Sequence, residues 1–289
     1  MSSTPTAVVT GGNRGIGYAV AQELVRQGYR VVLLARDRQR GETARSALGA
    51  RSDSDVALVV GDLSELSGVR SAAQTLLACC PRIDVLIHNA GIWPSRLVRG
   101  KHGLEHAFVT NHLAPFALNH LLEPRLLSSR ARVVQVSAGL YVKGRVDLEH
   151  TPTGADFHPL RTYADTKLCN LLLVPLFAQR WSTAGVRINA VHPGVVRTQL
   201  GDRAGVPGYL LKAMKLLWKP PRTAVAPIVR LAQGEAASDV TGRYFHSGRE
   251  TPLAPMARDV ALAQQVWAQA LELTGLSPVV PPCGAPGVA

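Results

Sequence analysis

A chain of 289 residues with 46% hydrophobic and 18% charged content can bury a large core and is too apolar to be disordered throughout. Its longest apolar runs fall short of the roughly 18 to 20 residues a membrane span needs. The net charge of +12 is spread through helices and loops without a Lys/Arg run or an interleaved aromatic stripe, which describes a solvated surface and no nucleic-acid partner. No charged-then-apolar leader precedes the first strand. Cys79, Cys80, Cys169 and Cys283 show no metal-ligand spacing, and the adjacent pair suits a reduced helix, so a cytoplasmic protein without a metal is expected.

Residues 6 to 10 read as a short buried strand, and Ile16, Ala19, Val20, Leu24 and Val25 recur at helical spacing over 15 to 27. Between them lie Gly11, Gly12, Gly15 and Gly17. Gly11 and Gly12 are expected at positive φ in a tight turn, while Gly15 and Gly17 would let a pyrophosphate and the neighbouring strand approach the backbone. The helix amino end offers unpaired N–H groups and a partial positive charge to phosphates. Taken alone, the same residues also describe an ordinary tight turn.

Further strand-like runs follow at 30 to 35, 56 to 61, 83 to 88, 132 to 137, 186 to 191 and 242 to 246, with helical patterns in nearly every gap. Continuous Val, Ile, Leu and Ala in such strands predict a parallel sheet covered on both faces. The expected fold is α/β, a Rossmann-type doubly wound parallel sheet of about seven strands with helices on both faces, forming one domain over 1 to 276. Residues 277 to 289, rich in Pro and Gly, are expected to be disordered.

The second strand ends in Arg36, and Arg14 lies within the glycine turn, so two guanidinium groups are available to a ribose 2′-phosphate. That favours NADP(H). If Asp37 meets the ribose instead, NAD returns. Asp62 is placed to accept from an adenine amino group or to cap the helix that begins near Ser64.

In order along the chain stand Thr10-Gly11-x-x-x-Gly15-Ile16-Gly17, Asp62-Leu63, Asn89-Ala90-Gly91, Asn111, Ser137, Tyr163-x-x-x-Lys167 and Pro193-Gly194. With these motifs the chain resembles the short-chain dehydrogenase/reductase family over about residues 6 to 275. Ala35-Arg36-Asp37, Thr110-Asn111-His112-Leu113 and His192-Pro193-Gly194-Val195-Val196-Arg197-Thr198 are similar to its retinol-dehydrogenase-like branch. His88 departs from the pattern, since many members carry a second Asn there, and a local hydrogen-bonding effect is expected. The resemblance implies a dinucleotide held by Gly11, Asn13, Arg14, Gly15, Ile16, Gly17, Arg36, Asp62 and Leu63. It also implies contacts from Asn89, Ala90, Gly91, Tyr163, Lys167, Pro193 and Gly194, with Val195 and Thr198 on the nicotinamide carboxamide.

Tyr163 and Lys167 are one helical turn apart in a segment, 162 to 180, that reads as helix. A nearby ammonium and a cationic nicotinamide would pull the phenol's pKa down, which makes Tyr163 the expected general acid/base. Ser137, ending the fifth strand, can hydrogen-bond a carbonyl oxygen as negative charge grows on it. The resemblance adds that Lys167 holds the nicotinamide ribose and that Asn111, midway along a helix over 103 to 127, holds a water linking Lys167 to solvent. His192 is read as structural.

Leu210, Leu211, Met214, Leu217 and Trp218 fall on one helical face within residues 205 to 221, flanked by Lys212, Lys215 and Lys219. This stretch reads as an apolar lid over a lipophilic substrate; a weak membrane-surface helix or a permanently docked helix fits the same pattern. The expected function is NADP(H)-dependent interconversion of a hydrophobic ketone or aldehyde and its alcohol. A catalytically idle dinucleotide sensor and a non-redox reaction on the same scaffold are the alternatives. A monomer or homodimer is expected, with a helix over 256 to 274 able to cover faces through which family members pair.

Overall fold

Thr6–Thr10 forms β1, buried at every position. In the computed structural model, which describes residues 4–50, 55–194, 196, 221–234 and 240–277, its side chains divide between two cores. Ala7 and Val9 join Val31, Leu33, Val85 and Ile87 on one side of the sheet. Val8 joins Val32, Leu34 and Leu86 on the other. A strand buried on both faces has no polar side, which is why these runs are continuously apolar.

Among the described residues the sheet has eight strands in the order β3-β2-β1-β4-β5-β6-β7-β8. They are β1, β2 (Arg30–Ala35), β3 (Val56–Val60), β4 (Val85–His88), β5 (Arg132–Val136), β6 (Arg187–His192), β7 (Tyr244–His246) and β8 (Arg249–Glu250). All pairs are parallel except β7 with β8. The two-residue β8 was not expected. Ser247 and Gly248, both at positive φ (50° and 86°), close a tight hairpin that returns the chain onto β7.

Parallel neighbours need crossovers, and helices supply them. α1 (Gly15–Arg26) and α2 (Arg38–Gly49) cover one face; α3 (Leu66–Cys79) lies on the other. The expected helix over 103 to 127 is instead interrupted, with α4 (His106–Phe108), a widened π turn over Val109–Leu113, α5 (Ala114–Leu121) and α6 (Glu123–Ser129) in succession. Pro115 has no N–H to give the carbonyl of Asn111 four residues earlier, and Pro124 likewise restarts the chain after Leu122. The Asn111 carbonyl accepts instead from Asn170 Nδ2 at 2.6 Å.

Asn170 lies on α7 (Pro159–Arg180), the long helix behind the site. α8 (Val225–Gln233) returns to the α1 face, and α9 (Val260–Thr274) packs over α5 and α7. Its Trp267 ring meets Phe116 edge-on at 5.2 Å and Phe177 at 4.6 Å. Where one helix from Met256 was expected, a 3-10 turn over Pro255–Arg258 precedes α9, whose start is capped by Asp259 accepting from Leu262 N at 3.0 Å. Val195, Thr198, the lid residues Leu210, Leu211, Met214, Leu217 and Trp218, and the tail beyond Ser277 lie outside the described residues. Among the described residues no helix is long and apolar enough to cross a membrane.

Candidate functional site

A cleft of about 1210 Å³ opens at the carboxyl ends of the first six strands, with Gly11, Arg36, Asp62, Asn89, Ser137 and His192 each contributed from a different one. It is centred where β1 lies between β2 and β4, so that the connections diverge to either side, the place where doubly wound sheets leave a crevice. Its volume exceeds the roughly 300 to 1,000 Å³ of an ordinary small-molecule pocket.

One end of the cleft is the glycine turn. Positive φ falls on Gly11 (64°) and Gly15 (57°), not on Gly12 as expected. Gly12 is instead a packing glycine: a Cβ there would lie 2.8 Å from Leu33 Cδ2 and 3.1 Å from the Val9 carbonyl oxygen. A Cβ on Gly17 would collide with the Gly11 carbonyl and Asn89 Nδ2. Asn89 ties the turn to β4, donating from Nδ2 to the carbonyls of Thr10 at 3.0 Å and Gly11 at 3.3 Å. The Thr10 hydroxyl accepts from the N–H groups of Asn89 and Ala90, both at 3.0 Å. Among the described residues no side chain caps α1, whose first N–H groups can face an anion, and Asn13, Arg14 and Ile16 also line the cleft.

At the end of β2, Arg36 is exposed and lines the cleft, as does Arg40. Asp37 is engaged with the helix that follows it. Its Oδ1 accepts from Arg40 N at 2.9 Å, and its other oxygen lies 3.7 Å from the Arg40 guanidinium. Asp62 closes the turn after β3 by accepting from Ser64 N (2.9 Å) and Oγ (2.8 Å), although α3 itself begins two residues further on, behind Glu65. The cleft wall there also includes Leu63.

The other end gathers Ser137, Tyr163 and Lys167, all nearly buried at 4 to 5% exposure. Ser137 leaves β5 with its N–H bonded to the Val191 carbonyl at 2.8 Å, and its hydroxyl has no partner among the described residues. Lys167 Nζ donates to the Val136 carbonyl at 3.2 Å and lies 5.7 Å from the centre of the Tyr163 ring. Burial pulls the Lys167 ammonium down to about 8. Burial also pushes the Tyr163 phenol above the ordinary tyrosine range; the lowering expected from the sequence is one that a cationic nicotinamide helps to supply. The ammonium is turned to the Val136 carbonyl, and burial is the cause of the phenol's shift.

Asn111 sits in the π turn with its amide fully engaged. Oδ1 accepts from Ile92 N at 2.8 Å, and Nδ2 donates to the Ile92 carbonyl at 2.9 Å and to Thr166 Oγ1 at 3.0 Å. Its side chain therefore clamps the loop after β4 to α7. Gly91 passes between the two, since a Cβ there would lie 3.3 Å from Asn111 Oδ1 and 3.7 Å from Lys167 Nζ.

Ala90 and Gly91 line the cleft beside Asn89, and Pro193 and Gly194 complete the wall after β6. His88 Nε2 donates to Asn119 Oδ1 at 2.8 Å within the core, where burial lowers its pKa to about 4. His192 stacks on His246 at 4.9 Å and is likewise pulled to about 4, chiefly by burial. Sequence reasoning missed Trp93, whose indole stacks on the Tyr163 ring at 5.1 Å and 13° between planes. Its one signal was position, two residues beyond Asn89-Ala90-Gly91 at a strand's carboxyl end.

The short chain dehydrogenase family profile matches residues 5–205. Dehydrogenase/reductase SDR family member 13 of Bos taurus is 40% identical over 282 residues, spanning 94% of this chain and 74% of its own. Retinol dehydrogenase 14 of Mus musculus is 36% identical over 278 residues, spanning 91% and 83%. A crystal structure of an uncharacterized protein from Mycobacterium paratuberculosis superposes with a TM-score of 0.74 at 30% identity, covering 94% of each chain. The chain belongs to the short-chain dehydrogenase/reductase family, as a retinol-dehydrogenase-like oxidoreductase.

Proposed function

We propose that the protein is an NADP(H)-dependent oxidoreductase that interconverts a hydrophobic ketone or aldehyde and its alcohol. The observation that carries this reading is the unpartnered, buried Ser137 hydroxyl lining one cleft with Tyr163 and Lys167, while the glycine turn forms its far end. Family membership implies a nicotinamide cofactor, and the residues present fit one: the glycine turn lines the same cleft as Ser137, Tyr163 and Lys167, and among the described residues no side chain caps the start of α1. When bound, the reduced ring supplies the hydride.

The chain's own residues handle the oxygen and its proton. Ser137 Oγ donates a hydrogen bond to the substrate carbonyl oxygen as charge grows on it. Tyr163 gives that oxygen its proton in reduction and takes it back in oxidation. The Lys167 ammonium stabilises the phenolate left behind. Asn111 acts through position, by fixing the loop of Ile92 against α7.

NADP(H) over NAD(H) is supported by charge at the end of β2. Arg36 lines the cleft there and Arg14 lines it from the glycine turn, while Asp37 already serves as the cap of α2. An NADPH-oxidation screen across aromatic ketones, medium-chain aldehydes, steroids and retinal tests the proposal. Turnover with at least one of these classes that disappears in Tyr163→Phe is expected; absence of turnover with all of them, or turnover untouched by Tyr163→Phe, would reject it.

A further inference from the structure

Buried polar side-chain atoms are nearly always hydrogen-bonded, so those left without a partner point to what is bound in use. Four such atoms among the described residues belong to side chains of residues that line the cleft: Trp93 Nε1, Thr110 Oγ1, Ser137 Oγ and His192 Nδ1. Three of them can adapt, because a hydroxyl rotates and an imidazole nitrogen changes role with its tautomer. The indole N–H only donates. It is met by an acceptor or by nothing.

Trp93 is also held in place. The residue before it is fixed at both its N–H and its carbonyl by Asn111, and the residue after it is the buried Pro94, which restricts the Trp93 backbone. Its ring plane lies on the phenol of Tyr163. An acceptor that a substrate brings to Nε1 therefore lies close to its carbonyl at Tyr163, provided the function proposed above holds.

We propose that Trp93 is a specificity-determining residue whose indole N–H donates a hydrogen bond to a second, acceptor oxygen of the substrate, so that the preferred substrates are ketones bearing such an oxygen a few bonds from the reacting carbonyl. A β-keto ester represents the class. A plain alkyl ketone of the same shape leaves the N–H buried and unmet, and that penalty makes the difference between the two.

Ethyl benzoylacetate and hexanophenone are a matched pair: both are phenyl ketones with five further chain atoms, and only the first has ester oxygens. Their binding to the complex of the protein with NADP+ is measured by calorimetry for wild type, Trp93→Phe and Trp93→Leu, with NADPH turnover followed in parallel. Wild type is expected to bind the keto ester about tenfold more tightly. Trp93→Phe keeps an aromatic plane on the phenol but removes the donor, and is expected to weaken the keto ester about tenfold more than hexanophenone. Trp93→Leu is expected to weaken both. Equal binding of the two ketones by wild type, binding of neither, or an equal effect of Trp93→Phe on both would overturn the proposal. So would weaker NADP+ binding by Trp93→Phe with ketone preference intact, since the N–H would then belong to the cofactor. Discrimination in binding without turnover would sink the proposed reaction while leaving the Trp93 assignment standing.

Discussion

Lys167 follows Tyr163 by one turn of α7, and its Nζ lies 5.7 Å from the centre of the phenol ring while donating to the Val136 carbonyl at 3.2 Å. The ammonium is thus buried beside an aromatic face with one neutral acceptor. Without its cofactor, the protein carries this charge at a cost.

That cost has a sign. The folded-state pKa of Lys167 is about 8, below the ordinary 10.5, so the penalty is full below about pH 8 and is relieved as pH rises from there towards 10.5. Lys167→Met should therefore stabilise the cofactor-free protein at pH 7 by about 1 to 3 kcal/mol in urea unfolding, while abolishing turnover. The gain should shrink between pH 8 and 10. A variant less stable than wild type at pH 7 contradicts this.

The proposed reduction uses the same charge. The catalytic efficiency for ketone reduction should fall above about pH 8 as the ammonium loses its proton. A pH profile flat to pH 10 would show that the Lys167 ammonium does not stabilise the phenolate during turnover.

Asp165, between the two on α7, is also nearly buried, and its Oδ1 accepts from Arg145 N at 2.6 Å, fastening the loop after β5 to the helix. Burial pushes its carboxyl up to about 7 from 3.8. The folded chain then holds a proton that the unfolded chain has released, so this group lowers stability as pH rises from 3.8 to about 7. Asp165→Asn keeps an acceptor for Arg145 N and removes the charge. It should flatten that slope and raise stability at pH 8 by about 1 to 3 kcal/mol, read from denaturant midpoints.

Arg36→Asp should lower the preference for NADPH over NADH by about a hundredfold in catalytic efficiency, since a charge-assisted phosphate contact is replaced by repulsion. Asp37, occupied by Arg40 N at 2.9 Å, is not expected to bring NADH preference by itself. Unchanged cofactor preference would show that the 2′-phosphate is recognised elsewhere or not at all.

Asn111→Leu removes three hydrogen bonds, leaving both polar groups of the Ile92 backbone and Thr166 Oγ1 to find others. Stability should drop by about 2 to 4 kcal/mol, with the Michaelis constant for the cofactor rising as the loop after β4 loosens. Thermal unfolding with and without NADP+, together with cofactor titration of the initial rate, measures both.

Local signals carried much of the fold. Unbroken apolar strands, a crowded glycine turn and a Tyr/Lys pair at helical spacing were all readable because each depends on neighbours in sequence. The π turn at Val109–Leu113 was hidden because its stabilising partner, Asn170, is 59 residues beyond Asn111. Pro115 was the visible clue. Gly12 and Gly15 exchanged their expected roles because which glycine turns and which packs depends on Leu33 and Val9, across the strand. Likewise, nothing in the residues around Asp37 says whether its carboxylate meets a ribose or caps the next helix, since Asp suits both. Trp93 on Tyr163 joins two segments 70 positions apart, a relation no window of sequence contains.

Hydride delivery is decided by isotope. With NADPH carrying deuterium at the transferable C4 position and a ketone that the oxidation screen identifies, wild type should place the label on the carbinol carbon of the alcohol. Tyr163→Phe, still binding NADPH, should form no labelled alcohol above background. Unlabelled alcohol from wild type, or labelled alcohol formed equally fast by Tyr163→Phe, would contradict the assignment of Tyr163 as the proton donor in a carbonyl reduction.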